Sequence, residues 1–85
     1  MTSPAECFPP GSFIRDELKA RQMTQGQLAL ALGVCAPYVS DIINGRRDIT
    51  PQIALGLERV LGVSADTWGA LQWSWKLWLR RTGRD

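Results

Sequence analysis

Apolar residues recur along the chain at intervals of three and four positions, the spacing that places them on one face of a helix. The segments with this pattern are about Ser12–Arg21, Gln25–Leu32, a third from near Cys35 or Ala36 to just before Asn44, Pro51–Leu61 and about Ala65–Arg81. We find no sustained alternation of apolar and polar residues, which a strand would show. The pattern therefore predicts an all-α fold of five helices, the last of which is the longest.

Residues at the ends of these segments mark where each helix starts and stops. Thr24 is followed three positions later by Gln27, the arrangement of a capping box, and Thr50 and Ser64 precede the fourth and fifth helices as N-cap residues. A glycine follows the second, third and fourth helices, where a left-handed backbone is needed. Together with the prolines near the start, these signals predict a flexible arm over residues 1–10, one domain over 11–81 and a tail over 82–85.

The same periodicity predicts which residues form the core. We expect each helix to bury one stripe of apolar side chains and to expose its charged ones. The expected core residues are Phe13, Ile14, Leu18, Leu28, Ala29, Leu32, Val39, Ile42, Ile43, Ile53, Ala54, Leu57, Val60, Leu61, Trp68, Leu71, Trp75 and Trp78.

Composition limits the functions that this chain can have. Its 85 residues allow one domain, and 10 basic and 8 acidic residues leave a net charge of only +2. A nucleic-acid surface must therefore depend on where the charges are located. The chain has no histidine, and Cys7 and Cys35 do not have the spacing of metal ligands. We expect no enzyme activity, no metal and no cofactor.

The start of the chain indicates the compartment. The segment MTSPAECFPPG lacks the charged start and apolar stretch of a secretory signal, and no apolar run approaches the ~20 residues of a membrane span. Two cysteines without such a signal are typical of a reducing environment. We therefore expect a cytoplasmic protein with no membrane partner.

Residues 24–50, TQGQLALALGVCAPYVSDIINGRRDIT, contain the clearest functional signal. A capped helix leads through Gly33 into a helix with a polar outer face, and the small Ala29 allows the two helices to approach closely at a steep angle. This arrangement predicts a helix-turn-helix over residues 24–44. In such a motif the second helix, here near residues 35–44, enters the major groove of DNA with its N-terminus first.

The segment QLALALGVCAPYVSDIINGRR resembles the helix-turn-helix of the XRE (lambda-repressor-like) superfamily. Over about residues 8–79, the chain also resembles the HigA-type antitoxins of toxin–antitoxin modules. In that family a Pro-Gly pair opens the first helix, a Thr-Pro pair opens the fourth, and two tryptophans lie near the start and end of the last. The matching residues are Pro10, Gly11, Thr50, Pro51, Trp68 and Trp78. The resemblance implies a lambda-repressor-like fold, double-stranded DNA as a partner and a cognate toxin protein.

The helix-turn-helix geometry predicts which residues contact DNA. Gln25, at the start of the second helix, can bind a phosphate, because helix N-termini bind anions. Arg46 and Arg47 follow the recognition helix and are candidate phosphate ligands, whereas Asn44 either contacts DNA or only closes that helix. The full predicted set is Gln25, Ala36, Pro37, Tyr38, Ser40, Asp41, Asn44, Arg46 and Arg47.

The exposed side of the recognition helix, which we expect to include Ala36, Pro37, Tyr38, Ser40 and Asp41, is less basic than usual for the family. Tyr38 and Ser40 are the best hydrogen-bonding candidates. Asp41 either accepts from a cytosine amino group or pairs with Arg46 or Arg47. Ala36 stands where relatives often have a basic or amide residue, and it offers only an apolar contact, for instance to a thymine methyl. The operator sequence of relatives therefore does not carry over.

All four tryptophans lie in the last predicted helix. Trp73 and Leu77 lie off the stripe expected to face the core, and a helix that is apolar on more than one side buries more than one face. The second face either enlarges the core of a monomer or, in the interpretation that we favour, forms a dimer. The predicted dimer interface consists of Trp73, Leu77, Trp78 and Arg80. The family resemblance also implies dimerisation through this region.

Three functions are compatible with the sequence. The first is a DNA-binding antitoxin that neutralises a cognate toxin and represses its own operon as a dimer bound to an inverted-repeat operator. The second is a stand-alone XRE-type repressor without a toxin. The third is a toxin-binding interaction protein with weak DNA binding, which Ala36, Asp41 and the low net charge favour. The antitoxin identity depends on the resemblance, since composition and spacing indicate only the helix-turn-helix.

Overall fold

The computed structural model describes residues 8–83, which form five α-helices and no strand within that range. The helices are α1 (Pro10–Ala20), α2 (Gln25–Leu32), α3 (Ala36–Ile43), α4 (Pro51–Leu61) and α5 (Ala65–Thr82). The all-α, five-helix class with a longer last helix is confirmed. Within these residues no single helix has the length and apolar character of a membrane span, and α2 and α3 reach that criterion only as a pair bent by 112°.

Local capping signals set the ends of the helices as predicted. Thr24 Oγ1 accepts from the Gln27 backbone N–H at 3.0 Å, and Gln27 Oε1 accepts from the Thr24 N–H at 2.8 Å, which completes the capping box. Thr50 and Ser64 each accept from the backbone N–H three residues later, at the starts of α4 and α5. As a result, α2 and α4 have the bounds that the sequence predicted.

The core is one apolar cluster to which all five helices contribute. Trp68 is its largest fully buried side chain and anchors α5, while Ile49 enters it from the loop between α3 and α4. No polar or charged residue is buried within residues 8–83. The buried members are Ile14, Leu18, Leu28, Ala29, Val39, Ile42, Ile43, Ile49, Ile53, Ala54, Leu57, Leu61 and Trp68.

The first helix differs from the prediction at both of its ends and in one core residue. It starts at Pro10 rather than Ser12, because proline at the first helical position loses no hydrogen bond. It ends at Ala20, one residue early. Phe13 is exposed, contrary to the prediction, because Ile14 and Leu18 form the inward stripe and Phe13 lies at its edge. Of the arm predicted over residues 1–10, the first seven residues lie outside the described part.

Gly11, in the first turn of α1, lies directly against the last turn of α3. A Cβ atom at Gly11 would overlap the carbonyl oxygen of Ile43 and lie 2.6 Å from that of Ile42. Both obstacles are backbone atoms and cannot rotate away. The partially positive N-terminal end of α1 therefore lies on the C-terminal carbonyl groups of α3, a contact that only glycine permits.

We predict that Gly11→Ala lowers the free energy of unfolding by roughly 1–3 kcal/mol, the usual cost of overpacking. Urea denaturation at one fixed protein concentration measures this change. Gly26→Ala is the matched control, because its Cβ would meet only Thr24 Oγ1 at 3.8 Å. Equal stability of Gly11→Ala and the wild type would show that this contact does not constrain the fold.

Candidate nucleic-acid interface

The helix-turn-helix consists of α2, the turn at residues 33–35 and α3. The two helix axes turn by 112°, within the range of about 90–120° that is typical of the motif. Gly33 has a φ of 76°, and the Val34 N–H donates to the Ala29 carbonyl oxygen at 3.0 Å, which closes α2. Leu28, Ala29 and Val39 are buried in one cluster. The turn and this packing therefore set the direction of α3.

The outer face of α3 presents mostly small side chains. Ala36 and Pro37 are exposed in its first turn, and Ser40 and Asp41 are half-buried one turn later. At the start of α2, Gln25 is exposed beside the capped helix end. The first N–H groups of a helix have no intrahelical partner, so this end can bind a phosphate oxygen.

The pattern predicted Tyr38 on the exposed side of α3, and the structure places it between that side and the core. It is half-buried and packs against the core cluster, because it lies one turn before the buried Ile42 and shares its face. The guanidinium carbon of Arg47 lies 4.4 Å from the centre of the Tyr38 ring. Ser40 is also half-buried, and its Oγ lies 3.3 Å from Asn44 Nδ2.

Arg46 contacts the recognition helix itself. Its Nη1 lies 3.6 Å from Asp41 Oδ1. Of the two roles predicted for Asp41, the structure therefore shows the ion pair with Arg46. The Arg46 side chain is 70% exposed and that of Asp41 37% exposed. An exposed ion pair contributes only about 0–1 kcal/mol. Arg46 can therefore exchange this carboxylate for a phosphate at little cost.

Asn44 closes α3 and connects it to α1. Its Nδ2 donates to the Ser40 carbonyl oxygen at 2.9 Å, and its Oδ1 accepts from Arg15 Nη2 at 3.4 Å. Arg15 is a basic residue beside the recognition helix, and the sequence pattern predicted only that charged residues of this kind face solvent. Spacing could have indicated this contact, because Arg15 lies four residues after Gly11 and therefore shares the face of α1 that lies against α3.

Gln72 of α5 is a second residue that the sequence analysis did not identify. Its Oε1 accepts from the Ile49 backbone N–H at 2.7 Å, and its Nε2 lies 3.4 Å from Asp48 Oδ1. Lys76, one turn later, lies 3.3 Å from Asp48 Oδ2. These contacts attach the segment that follows Arg46 and Arg47 to α5. They join residues more than 20 positions apart, so no local pattern could predict them.

The residues predicted for the dimer interface lie on two sides of α5. Trp73 is 68% exposed, and with Leu77 and Arg80 it surrounds a surface cavity of about 340 Å³. Trp78 instead stacks on Trp75, with ring centroids 5.0 Å apart and planes inclined by 16°. The structure therefore groups Trp73, Leu77 and Arg80 and separates Trp78 from them.

Comparison with known proteins identifies the family. The model of the helix-turn-helix family HTH_3 matches residues 14–68, which contain α2, α3, α4 and most of α1. The chain belongs to this helix-turn-helix family, which confirms the XRE-type resemblance. A curated relative is the uncharacterized HTH-type transcriptional regulator YddM of Escherichia coli strain K12, which is 29% identical over 80% of this chain and 72% of its own length.

Solved structures resemble the whole described domain. PA4674 of Pseudomonas aeruginosa, solved in complex with its 18-bp operator DNA, is 34% identical with a TM-score of 0.84, over 92% of this chain and 85% of that one. An addiction module antidote protein of the HigA family from Coxiella burnetii is 32% identical with a TM-score of 0.77, over 92% and 88% of the two chains. The HigA-type resemblance is thus confirmed as a similarity of sequence and fold.

We predict that Asp41→Asn raises the affinity for random-sequence DNA by up to about fivefold, the equivalent of one exposed ion pair. The substitution removes a negative charge beside the phosphates and releases Arg46. Fluorescence anisotropy with a labelled random duplex measures the change. Glu58→Gln, which also removes one negative charge but lies near the C-terminal end of α4, is the control. Unchanged or weaker binding by Asp41→Asn would contradict this role.

Proposed function

We propose that this chain is an antitoxin that represses its own operon as a homodimer and also neutralises a toxin encoded beside it. The DNA-binding half of the proposal depends on the outer face of α3, beside which Arg15, Arg46 and Arg47 all lie. Similarity to a protein solved with its operator DNA supports this assignment.

The positions of these charges explain how a chain with a net charge of only +2 can bind DNA. The guanidinium groups of Arg15 and Arg46 lie beside the C-terminal end of α3, and that of Arg47 lies over Tyr38 in its first turn. The start of α2 at Gln25 offers helix N–H groups. Contacts of this kind with phosphates fix the register of a protein on the duplex. The outer residues of α3, Ala36, Pro37 and Ser40, then contact the base edges.

The homodimer half of the proposal depends on Trp73. Trp73 is 68% exposed on a helix whose other side packs on the core, and a large exposed aromatic side chain supports an interface at this position. A two-fold dimer places two recognition helices one helical turn of DNA apart, about 34–36 Å, or a multiple of that distance. The matching DNA site is an inverted repeat.

The toxin half of the proposal is supported by the similarity to the Coxiella burnetii antidote protein. Coexpression with the product of each adjacent gene tests it. We expect one neighbour to arrest growth when expressed alone and to be harmless, and to copurify, when expressed with this chain. Two harmless neighbours would favour the alternative, a stand-alone repressor.

We predict that DNA from upstream of the gene competes for the protein at least about 1,000-fold better than random DNA at ~0.15 M salt, the low end of specific recognition. A gel-shift competition with both duplexes measures the ratio. Scrambling one half of the inverted repeat is the control, which should remove most of the preference. Equal competition by the two DNAs would contradict the repressor function.

We predict that Arg46→Ala and Arg47→Ala each weaken binding to operator and random DNA to a similar extent. Each lost phosphate contact should reduce the slope of log affinity against log salt by about one unit per subunit. Titrations between ~0.05 and ~0.2 M salt measure the slope. Arg81→Ala, in the last turn of α5, is the control. Slopes equal to that of the wild type in both variants would exclude a phosphate role.

A further inference from the structure

The segment that connects α3 to α4 carries Arg46 and Arg47. The Arg46 backbone N–H donates to the Asp41 carbonyl oxygen at 2.8 Å, which extends the end of α3 by one turn. In residues 47–49, by contrast, no backbone N–H donates to a backbone carbonyl oxygen within the described range 8–83. Arg47 therefore lies where the hydrogen bonds of α3 have ended and those of α4 have not begun.

Side chains of α5 supply the contacts that the backbone of this segment lacks. Gln72 Oε1 accepts from the Ile49 backbone N–H at 2.7 Å, and Gln72 Nε2 lies 3.4 Å from Asp48 Oδ1. Lys76 Nζ lies 3.3 Å from the other carboxylate oxygen of Asp48. Because Ile49 is buried, a backbone N–H without a partner at this position would be unfavourable. One amide of α5 thus binds both a backbone group and a side chain of the segment.

The junction between this segment and α5 is closely packed. The residues that line it include Arg47, Ile49, Gln72 and Trp75, and they leave a cavity of only about 10 Å³. A buried water molecule needs at least about 10–15 Å³ and several polar partners. Solvent is therefore a poor substitute for the Gln72 amide at this junction.

Arg47 depends more on this attachment than Arg46 does. Arg46 has its backbone hydrogen bond to the end of α3 and an ion pair with Asp41 of that helix. Arg47 contacts α3 through its side chain, which lies over the Tyr38 ring, and the next two residues are those that Gln72 binds. If the segment were loose, Arg47 would lose more conformational freedom on binding a phosphate, and the affinity would fall.

We propose that Gln72 is a positioning residue of the DNA interface. Through Asp48 and Ile49 it fixes the backbone from which Arg47 reaches a phosphate, and it acts without contacting DNA itself. The proposal depends on the DNA binding proposed above. It gives α5 a role in DNA binding that is separate from any contact between copies of the chain.

A double-mutant cycle of Gln72→Met and Arg47→Ala tests the proposal. Methionine has a similar length and helix propensity but makes neither hydrogen bond. Fluorescence anisotropy with a labelled random-sequence duplex measures the affinity of the wild type, both single variants and the double variant. We expect Gln72→Met to weaken binding about three- to tenfold, the usual effect of a lost hydrogen bond. Once Arg47 is replaced, it should weaken binding less than about twofold further.

The cycle separates positioning from a general loss of fold. In the control background Arg81→Ala, Gln72→Met should keep its full effect. A variant that only unfolds part of the protein would weaken binding by the same factor with and without Arg47. That result would overturn the proposal, and so would wild-type binding by either Gln72→Met or Arg47→Ala. A wild-type protein that does not bind DNA would instead contradict the DNA binding on which the proposal depends.

A second test exchanges the donor and the acceptor. Gln72→Glu keeps an acceptor for the Ile49 N–H but places a carboxylate against that of Asp48, and the added Asp48→Asn supplies an amide donor for it. Gln72→Glu should therefore weaken binding to the same duplex at least about threefold more in the wild-type background than in the Asp48→Asn background. Asp48→Asn alone corrects for the lost charge, and circular dichroism should show equal helix content in all variants. An equal loss of affinity in both backgrounds would overturn the proposal.

Discussion

The contact between Gly11 and the last carbonyl groups of α3 is the constraint on which the position of the recognition helix depends. It brings α1 against the C-terminal end of α3, and Arg15, one turn later, then reaches Asn44. The other end of α3 is set by Gly33 and by the close approach of the buried Ala29. A helix held by backbone contacts at one end and by a tight turn at the other has little freedom to shift. Direct readout of base edges requires this rigidity.

The basic residues around α3 contact other side chains of the protein. Arg46 pairs with Asp41, Arg47 covers Tyr38 and Arg15 donates to Asn44. The Arg46–Asp41 ion pair is exposed and therefore weak, so a phosphate can replace the carboxylate. The same contacts hold the long side chains near the helix and reduce the entropy that binding would cost. The arginines are gathered around α3, so a chain with a net charge of only +2 has a locally basic surface there.

The sequence predicted most of the fold, because helix ends depend on local capping. Thr24, Gln27 and Gly33 define α2, and Thr50 defines the start of α4, with no information from elsewhere in the chain. The start of α1 was missed because consecutive prolines favour an extended arm, whereas the contact of Gly11 with α3 is tertiary. The contacts of Arg15 and Gln72 were missed for the same reason. Tyr38 is half-buried because it lies four residues before the buried Ile42 and shares its face. The prediction considered only the hydroxyl group of Tyr38 and not this spacing.

The central claim is that two copies of α3 contact DNA on one face, related by a two-fold axis through the dimer. Hydroxyl-radical footprinting of the wild-type protein on the DNA upstream of its gene tests this claim directly. The account predicts two equivalent protected regions on each strand, with centres about 10 base pairs apart or a multiple of that distance. A single unsymmetrical protected region, or uniform weak protection along the fragment, would contradict it.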